Sequence, residues 1–441
     1  MARVVVCRVG EGDNFQPAVS PNDTLLEMAI EQPGAPVSVG ITVRQQLERT
    51  AISPLPVALD LLNLATAVYS ADVCTRRITA YDRWTREYRL FMPVGQPEVW
   101  TAASEHLCRM LGFLSGDRWQ IEFRPLTNPI PPVVKRKRAK PLRRPSTVSL
   151  FSGGLDSFVG VLDLLEAGHT VGMVGHYSTG PTSQAQDAVS EALEAHFNNG
   201  SSFHRFYVRP PRLNGTLPEP STRSRSILFL ALGTLVASAF GDPLPLYVPE
   251  NGLISLNVPL TPARTGTLST RTTHPHFIAL FREFLGLIGI GVGVETPYRF
   301  RTKGEMLAEA TNQTVLRAVA RQTLSCSHPD VGRYHHVAPG QHCGYCVPCI
   351  IRRGSMAHVG EDRAEDYLID VLRNPPGAGT ETGKDFRAFQ MALARQSSGH
   401  RAFLEVLGSG PLPPDDAPEY AAVYDRGMEE VRRFFTQTGR A

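Results

Sequence analysis

The chain has 441 residues, with 45 Lys and Arg against 42 Asp and Glu for a net charge of +3, and it is 42% hydrophobic and 20% charged. Such a composition excludes a disordered, collagen-like or disulfide-stapled miniprotein and predicts roughly two or three folded units with substantial cores. The apolar start Val4-Val5-Val6 is too short for a signal peptide, and the longest apolar run, 227–240, is shorter than the roughly 20 residues of a membrane span, so a cytoplasmic chain without a membrane partner is expected.

Residues 1–132 read as an N-terminal α+β domain. The apolar run Arg3–Val9 predicts a strand, and Leu55, Leu59, Leu62, Leu64, Ala67 and Val68 follow a helical period up to Val73. Residues 88–92 and 119–123 alternate as half-buried strands do. Residues 133–146 form a basic, proline-rich linker containing Lys135, Arg136, Lys137, Arg138, Lys140, Arg143 and Arg144, a composition that suits a solvated linker or a contact with nucleic acid phosphates.

From 147 to 320 strands alternate with helices, the pattern of an α/β parallel sheet covered on both faces. Residues 147–151 read as a buried strand, 158–166 as a helix and 170–177 as a second strand, with a further helix from Ile227 and a strand at 246–248. The polar stretch 250–273 reads as a ligand-facing loop. Residues 321–360 hold the cysteine cluster, and 361–441 read as a C-terminal helical cap after a glycine-rich break at 375–383.

Between the strand ending at Phe151 and the next helix lies Ser152-Gly153-Gly154-Leu155-Asp156-Ser157. A tight strand-to-helix turn leaves backbone N–H groups unpaired at a helix start carrying about half a positive charge, a site suited to phosphate. The glycines permit close approach of a ligand, and the hydroxyls of Ser152 and Ser157 can reach phosphate oxygens. Asp156 reads either as a magnesium partner or as an N-terminal helix cap. The rival string Gly379-Thr380-Glu381-Thr382-Gly383-Lys384 has the wrong glycine spacing and no preceding strand for a Walker A loop, so it reads as a plain loop.

Of seven cysteines, Cys326, Cys343, Cys346 and Cys349 crowd together, with two successive CxxC spacings. Four soft ligands suit a closed, structural zinc site rather than a catalytic one. His335, His336 and His342 lie near enough in sequence to replace one thiolate, and an iron–sulfur cluster is the other metal reading.

These features, in this order, resemble the 7-cyano-7-deazaguanine synthase (QueC-like) family of PP-loop ATP-pyrophosphatases. Supporting segments are Arg225-Ser226-Ile227-Leu228-Phe229-Leu230, Glu295-Thr296-Pro297 with Lys303-Gly304-Glu305 downstream, and Thr323-Leu324-Ser325-Cys326 through Cys349 and Arg352. The likeness spans residues 147–355. It departs at His176-Tyr177-Ser178-Thr179-Gly180, where the family carries Asp-Tyr-Gly-Gln, and in the longer 250–276 loop.

The resemblance implies a parallel-sheet PP-loop (adenine nucleotide alpha hydrolase-like) core with a zinc-knuckle insertion. It implies ATP bound by Ser152, Gly153, Gly154, Leu155, Asp156 and Ser157, with Mg²⁺ at Asp156. Lys303 and Arg225 are then charge stabilisers, and Glu250, Asn251 and His274 are candidate substrate contacts. The implied reaction adenylates a 7-carboxy-7-deazaguanine-type carboxylate, releases pyrophosphate and transfers the acyl group to ammonia, giving an amide and then a nitrile. The extra N-terminal domain is similar to that of extended QueC-like proteins in anti-phage defence operons such as the Qat system, where a partner protein's amine is a possible acceptor. A free synthase, a PP-loop enzyme acting on tRNA and a non-enzymatic nucleotide sensor are the alternatives.

Overall fold

The structure, a computed structural model, describes residues 2–436 apart from 31–37, 42, 51, 129–143, 177–179, 199, 212, 214, 216, 222, 262–270, 336–339, 378 and 397–398. The basic run 135–143 and residues 177–179 lie outside the described residues. Branched side chains are stiff and fit a pleated surface, and the valine run at the start forms β1 (Arg3–Val9). It is followed by β2 (Thr24–Ile30), β3 (Ser38–Ile41), α1 (Val43–Thr50), α2 (Pro56–Cys74), β4 (Glu87–Val94), α3 (Pro97–Ala102), α4 (Ser104–Ser115) and β5 (Arg118–Pro125).

The second part holds β6 (Thr147–Leu150), α5 (Leu155–Glu166), β7 (Val171–His176), α6 (Pro181–Phe197), β8 (Ser201–Phe206), β9 (Val208–Arg209), α7 (Arg225–Ala237), β10 (Leu246–Tyr247), α8 (Gly252–Leu256), α9 (Pro275–Leu287), β11 (Val294–Glu295), α10 (Lys303–Glu309) and α11 (Gln313–Val319). The last part is helical, with α12 (Val347–His358), α13 (Gly383–Arg395), α14 (Gly399–Leu407) and α15 (Ala417–Thr436).

The fold is α/β with two sheets. One has the order β5-β4-β1-β2-β3-β9 and is parallel except where β9 joins antiparallel through Gly40 and Arg209; the other, β11-β10-β6-β7-β8, is parallel throughout. β9 follows β8 directly yet crosses to the first sheet, so the chain stitches the two together. One apolar cluster takes in Val5, Leu61 and Leu64 from the first part and Leu228, Leu232 and Phe281 from the second. The N-terminal unit and the second sheet therefore share an interior.

α2 shows why. It is 19 residues long and apolar enough to match a membrane span in length and hydropathy, a candidate that the 227–240 run does not reveal. Instead it packs between the first sheet and α7, as a helix apolar on all sides does inside a protein. Its C-terminal turn carries Asp72, fully buried, which pairs with Arg86 at 2.5 Å and accepts from the Ser224 amide at 2.9 Å. Asp117 completes the network, holding Arg86 at 2.7 Å and Arg77 at 3.0 Å.

A third layer lies at the C-terminus. Cys343, Cys346, Cys349 and Ile350 share a cluster with Leu253 of α8, Phe389 of α13 and Tyr424, Met428 and Phe434 of α15. Gly383 opens α13 and Lys384 pairs with Glu381 at 2.5 Å, so the Walker-like string is a loop running into a helix.

Removing one member of a buried ion network leaves an uncompensated charge. Asp117→Ala is expected to cost about 3–5 kcal/mol, read from the shift in the urea unfolding midpoint at constant slope.

Candidate functional site

From β6 the chain runs outward through β7 and β8 on one side, while β10 and β11 lie on the other. The loops after β6 and β10 diverge at this reversal, and parallel sheets open a ligand crevice at such a place. After β6 comes the Ser152–Ser157 turn. Gly153 has φ +77°, and a Cβ there would sit 2.9 Å from the Gln186 amide nitrogen, so only glycine fits.

α5 begins at Leu155, earlier than the expected Phe158, because Gly154 supplies the extended N-cap. Asp156 is therefore the second residue of the helix, which corrects the capping alternative: its side chain caps nothing and reaches across the crevice. The serine hydroxyls are engaged within the turn. Ser157 Oγ donates to Gly154 O at 2.9 Å and the Gly154 amide donates to Ser152 Oγ at 3.2 Å.

A second segment clasps the turn from outside. The Leu324 amide donates to Gly153 O at 2.9 Å, and the Leu155 amide donates to Ser325 Oγ at 3.2 Å. Arg352 secures that segment, donating to Thr323 Oγ1 at 2.8 Å and to Ala320 O at 2.8 Å.

Asp156 is the centre of a buried charge cluster. One oxygen accepts from Asn251 Nδ2 at 2.6 Å and from the Asn251 amide at 3.2 Å, and the other pairs with Lys303 Nζ. Asn251 is fully buried and also caps α8 through Ile254, so it positions Asp156 rather than offering itself to a ligand. Glu250 faces a cavity of 280 Å³ lined also by Gly154, Ser157, Phe229, Thr273 and Lys303. Burial, followed by the negative charge of Asp156, pushes the Glu250 carboxyl up to about 8, against the pull of Lys303.

A second cavity of 330 Å³ adjoins the first, sharing Leu150, Ser152, Phe229 and Leu324. Here lie His176, Gln186 and Arg225. Burial and the neighbouring Arg225 lower His176 to about 4. The neutral ring donates from Nε2 to Val208 O at 2.9 Å and accepts from Arg225 at Nδ1 at 3.3 Å. Gln186 Oε1 and Arg225 Nε are buried with no hydrogen-bond partner among the described residues. Unpaired buried polar atoms are uncommon, and here a donor and an acceptor belong to two residues that line one chamber.

The structure thus brings Ser152, Gly153, Gly154, Leu155, Asp156, Ser157, Glu250, Asn251 and Lys303 together, with Arg225 in the adjoining chamber. His274 is not with them. It is fully buried, accepts from the His276 amide at 3.2 Å and bonds Ser409 Oγ at 3.0 Å. It serves the start of α9, and its neighbours Thr272 and Thr273 line the first cavity instead. Gln186 escapes sequence reading because a glutamine within a mixed helix carries no signal until β6 is laid beside it. Ser325 likewise carries no local signal, since its role appears only when its segment is laid against the turn.

The four cysteine sulfurs lie within 4.8 Å of one another. Cys326–Cys346 and Cys343–Cys349 are 4.0 and 3.8 Å apart, close to the about 3.8 Å edge of a tetrahedron with about 2.3 Å metal–sulfur bonds. Backbone amides already support the thiolates, with the His328 and Cys343 amides each 3.3 Å from Cys326 Sγ. Gly344, at φ +87°, lets the knuckle pass Ile369 O, which a Cβ would meet at 2.1 Å. The set fits a metal such as zinc with no open position. His342 is not a ligand but accepts from the Ser325 amide at 3.2 Å, while the His335 side chain and His336 lie outside the described residues.

No family model matches the chain, and no curated protein matches it by sequence.

Two outcomes test this geometry. The purified chain is expected to carry about one zinc per molecule, and chelation or Cys343→Ser should lower the melting temperature sharply, since such sites bind with on the order of 10 kcal/mol; metal analysis and thermal melts check this. For Glu250 the folded pKa of about 8 lies above the unfolded 4.5, so the folded state holds the proton more tightly. Its contribution is complete below pH about 4.5 and lost as pH rises through about 8. The melting temperature of the wild type should fall relative to Glu250→Gln across that window.

Proposed function

We propose that the chain is a QueC-like, PP-loop-type ligase that uses ATP to adenylate a carboxylate of 7-carboxy-7-deazaguanine type, releases pyrophosphate, and joins the acyl group to a nitrogen nucleophile. The observation that carries this reading is the Ser-Gly-Gly-Leu-Asp-Ser turn on the central strand of a parallel sheet, at its topological switch, with Lys303 paired to its aspartate. Backbone amides at the α5 start and the Lys303 ammonium meet the negative charge that gathers on departing pyrophosphate.

The two adjoining chambers divide the substrates. The His176, Gln186 and Arg225 chamber takes the adenosine part, with Phe229 as an apolar wall and the Gln186 and Arg225 side chains beside its polar edges. The Glu250 chamber takes the carboxylate substrate beside Thr272 and Thr273. In the first step a carboxylate oxygen bonds to the α-phosphorus as the bond to pyrophosphate breaks. In the second the nitrogen lone pair bonds to the acyl carbon, AMP leaves with the bonding electrons, and the nitrogen gives up a proton.

Glu250 is the group placed to take that proton, because its elevated affinity matches neutral pH. Asp156 is the carboxylate that would hold magnesium, which when bound would neutralise phosphate charge. The additional sheet and the changed segment after β7 favour a protein amine as acceptor, which fits a role in anti-phage defence in which a deazaguanine group is attached to a partner.

Release of AMP and pyrophosphate from ATP with 7-carboxy-7-deazaguanine, with and without candidate protein partners, is the decisive measurement. Asp156→Ala is expected to reduce it by about 10²–10³-fold. A wild type that releases no AMP, or a variant that retains the full rate, rejects the assignment.

A further inference from the structure

Lys303 is the first residue of α10, and how it is aimed depends on how that helix starts. Thr302 caps the helix in a reciprocal box: its hydroxyl accepts from the Glu305 amide at 3.0 Å and its own amide donates to Glu305 Oε2 at 2.9 Å. That box alone would suffice for a surface helix. Here a second carboxylate arrives from the C-terminal cap. Glu430 of α15, only 7% exposed, accepts from the Thr302 hydroxyl, from the Gly304 amide at 3.2 Å and from Ser355 Oγ at 3.3 Å.

Gly304 is shaped for this contact, since a Cβ there would stand 2.5 Å from the Glu430 carboxylate. One turn earlier on α15, Arg426 pairs with Glu305 at 2.6 Å and donates to Phe300 O at 2.8 Å. α15 therefore grips the two residues flanking Lys303. Ser355 belongs to α12, whose first turns carry Cys349, so the same carboxylate also joins the metal knuckle to the lysine. Burying a carboxylate is costly, and an apolar residue would pack α15 as well. What the carboxylate adds is a fixed direction for the α10 start.

We propose that Glu430 is a positioning residue that holds Lys303 against Asp156, making the 361–441 segment part of the site. The inference rests on the reading of Lys303 as the group that neutralises pyrophosphate charge. It is tested in the full-length, zinc-replete chain by comparing wild type, Glu430→Ala, Glu430→Gln and the surface control Glu429→Ala. Acylation of Lys303 by an amine-reactive ester, followed by mass spectrometry, reports its burial without turnover, and AMP release reports its effect.

Glu430→Ala is expected to raise Lys303 labelling about tenfold at unchanged zinc content, and to lower kcat for AMP release about 100-fold with little change in KM for ATP. Glu430→Gln keeps an acceptor for the Gly304 amide and should restore most of both. If the alanine variant does not fold, Gly304→Ala displaces the carboxylate instead and should expose Lys303 in the same way. Unchanged labelling in a folded Glu430→Ala or Gly304→Ala chain overturns the inference, as does a glutamine variant no better than alanine. Increased labelling in a series whose wild type releases no AMP supports the positioning and rejects the enzymatic assignment instead.

Discussion

A parallel sheet whose chain reverses direction at its central strand leaves two loops diverging from a common edge, and something must hold the mouth between them in shape. In this protein the work falls to the Asp156 carboxylate. It begins on the helix after β6, takes two hydrogen bonds from Asn251 after β10, and pairs with Lys303 from α10. A buried carboxylate so placed needs every partner it has. Its charge also acts on its neighbour: burial first, and then the negative charge of Asp156, raise the proton affinity of the Glu250 carboxyl.

The elements added around the five-stranded sheet each attach to the walls of the crevice by hydrogen bonds. The N-terminal sheet does so through α2, where Asp72 holds the Ser224 amide immediately before Arg225. The cysteine knuckle does so through Ser325, next to Cys326, which receives the Leu155 amide at the turn. The helical cap does so through α15 at the start of α10. Rigid supporting elements of this kind keep a binding constellation within the narrow tolerance that chemistry requires.

The layers also account for the division of the crevice. Phe229 and Leu324 stand between the two chambers, with Ser152 at their junction. One chamber is lined with paired charges and the other with a neutral histidine, so the two sides differ in electrostatic character.

Much of this was legible in the residues. The valine run of β1, the period of α2, the turn after β6 and the four cysteines are local signals: alternation, helical spacing, glycine at positive φ and ligand spacing each act within a few residues. They suffice for the α/β class, for the turn's residues and for the metal set. Other features have no local origin. β9 crossing to the first sheet, Gln186 entering the second chamber, His274 turned to Ser409 and α2 sealed between layers rather than in a membrane all depend on which surfaces meet. Side-chain type and short-range spacing set the chemistry available, and both can be read along the chain. Which groups face one another emerges only on folding, because burial and charge pairing arise between segments far apart in sequence.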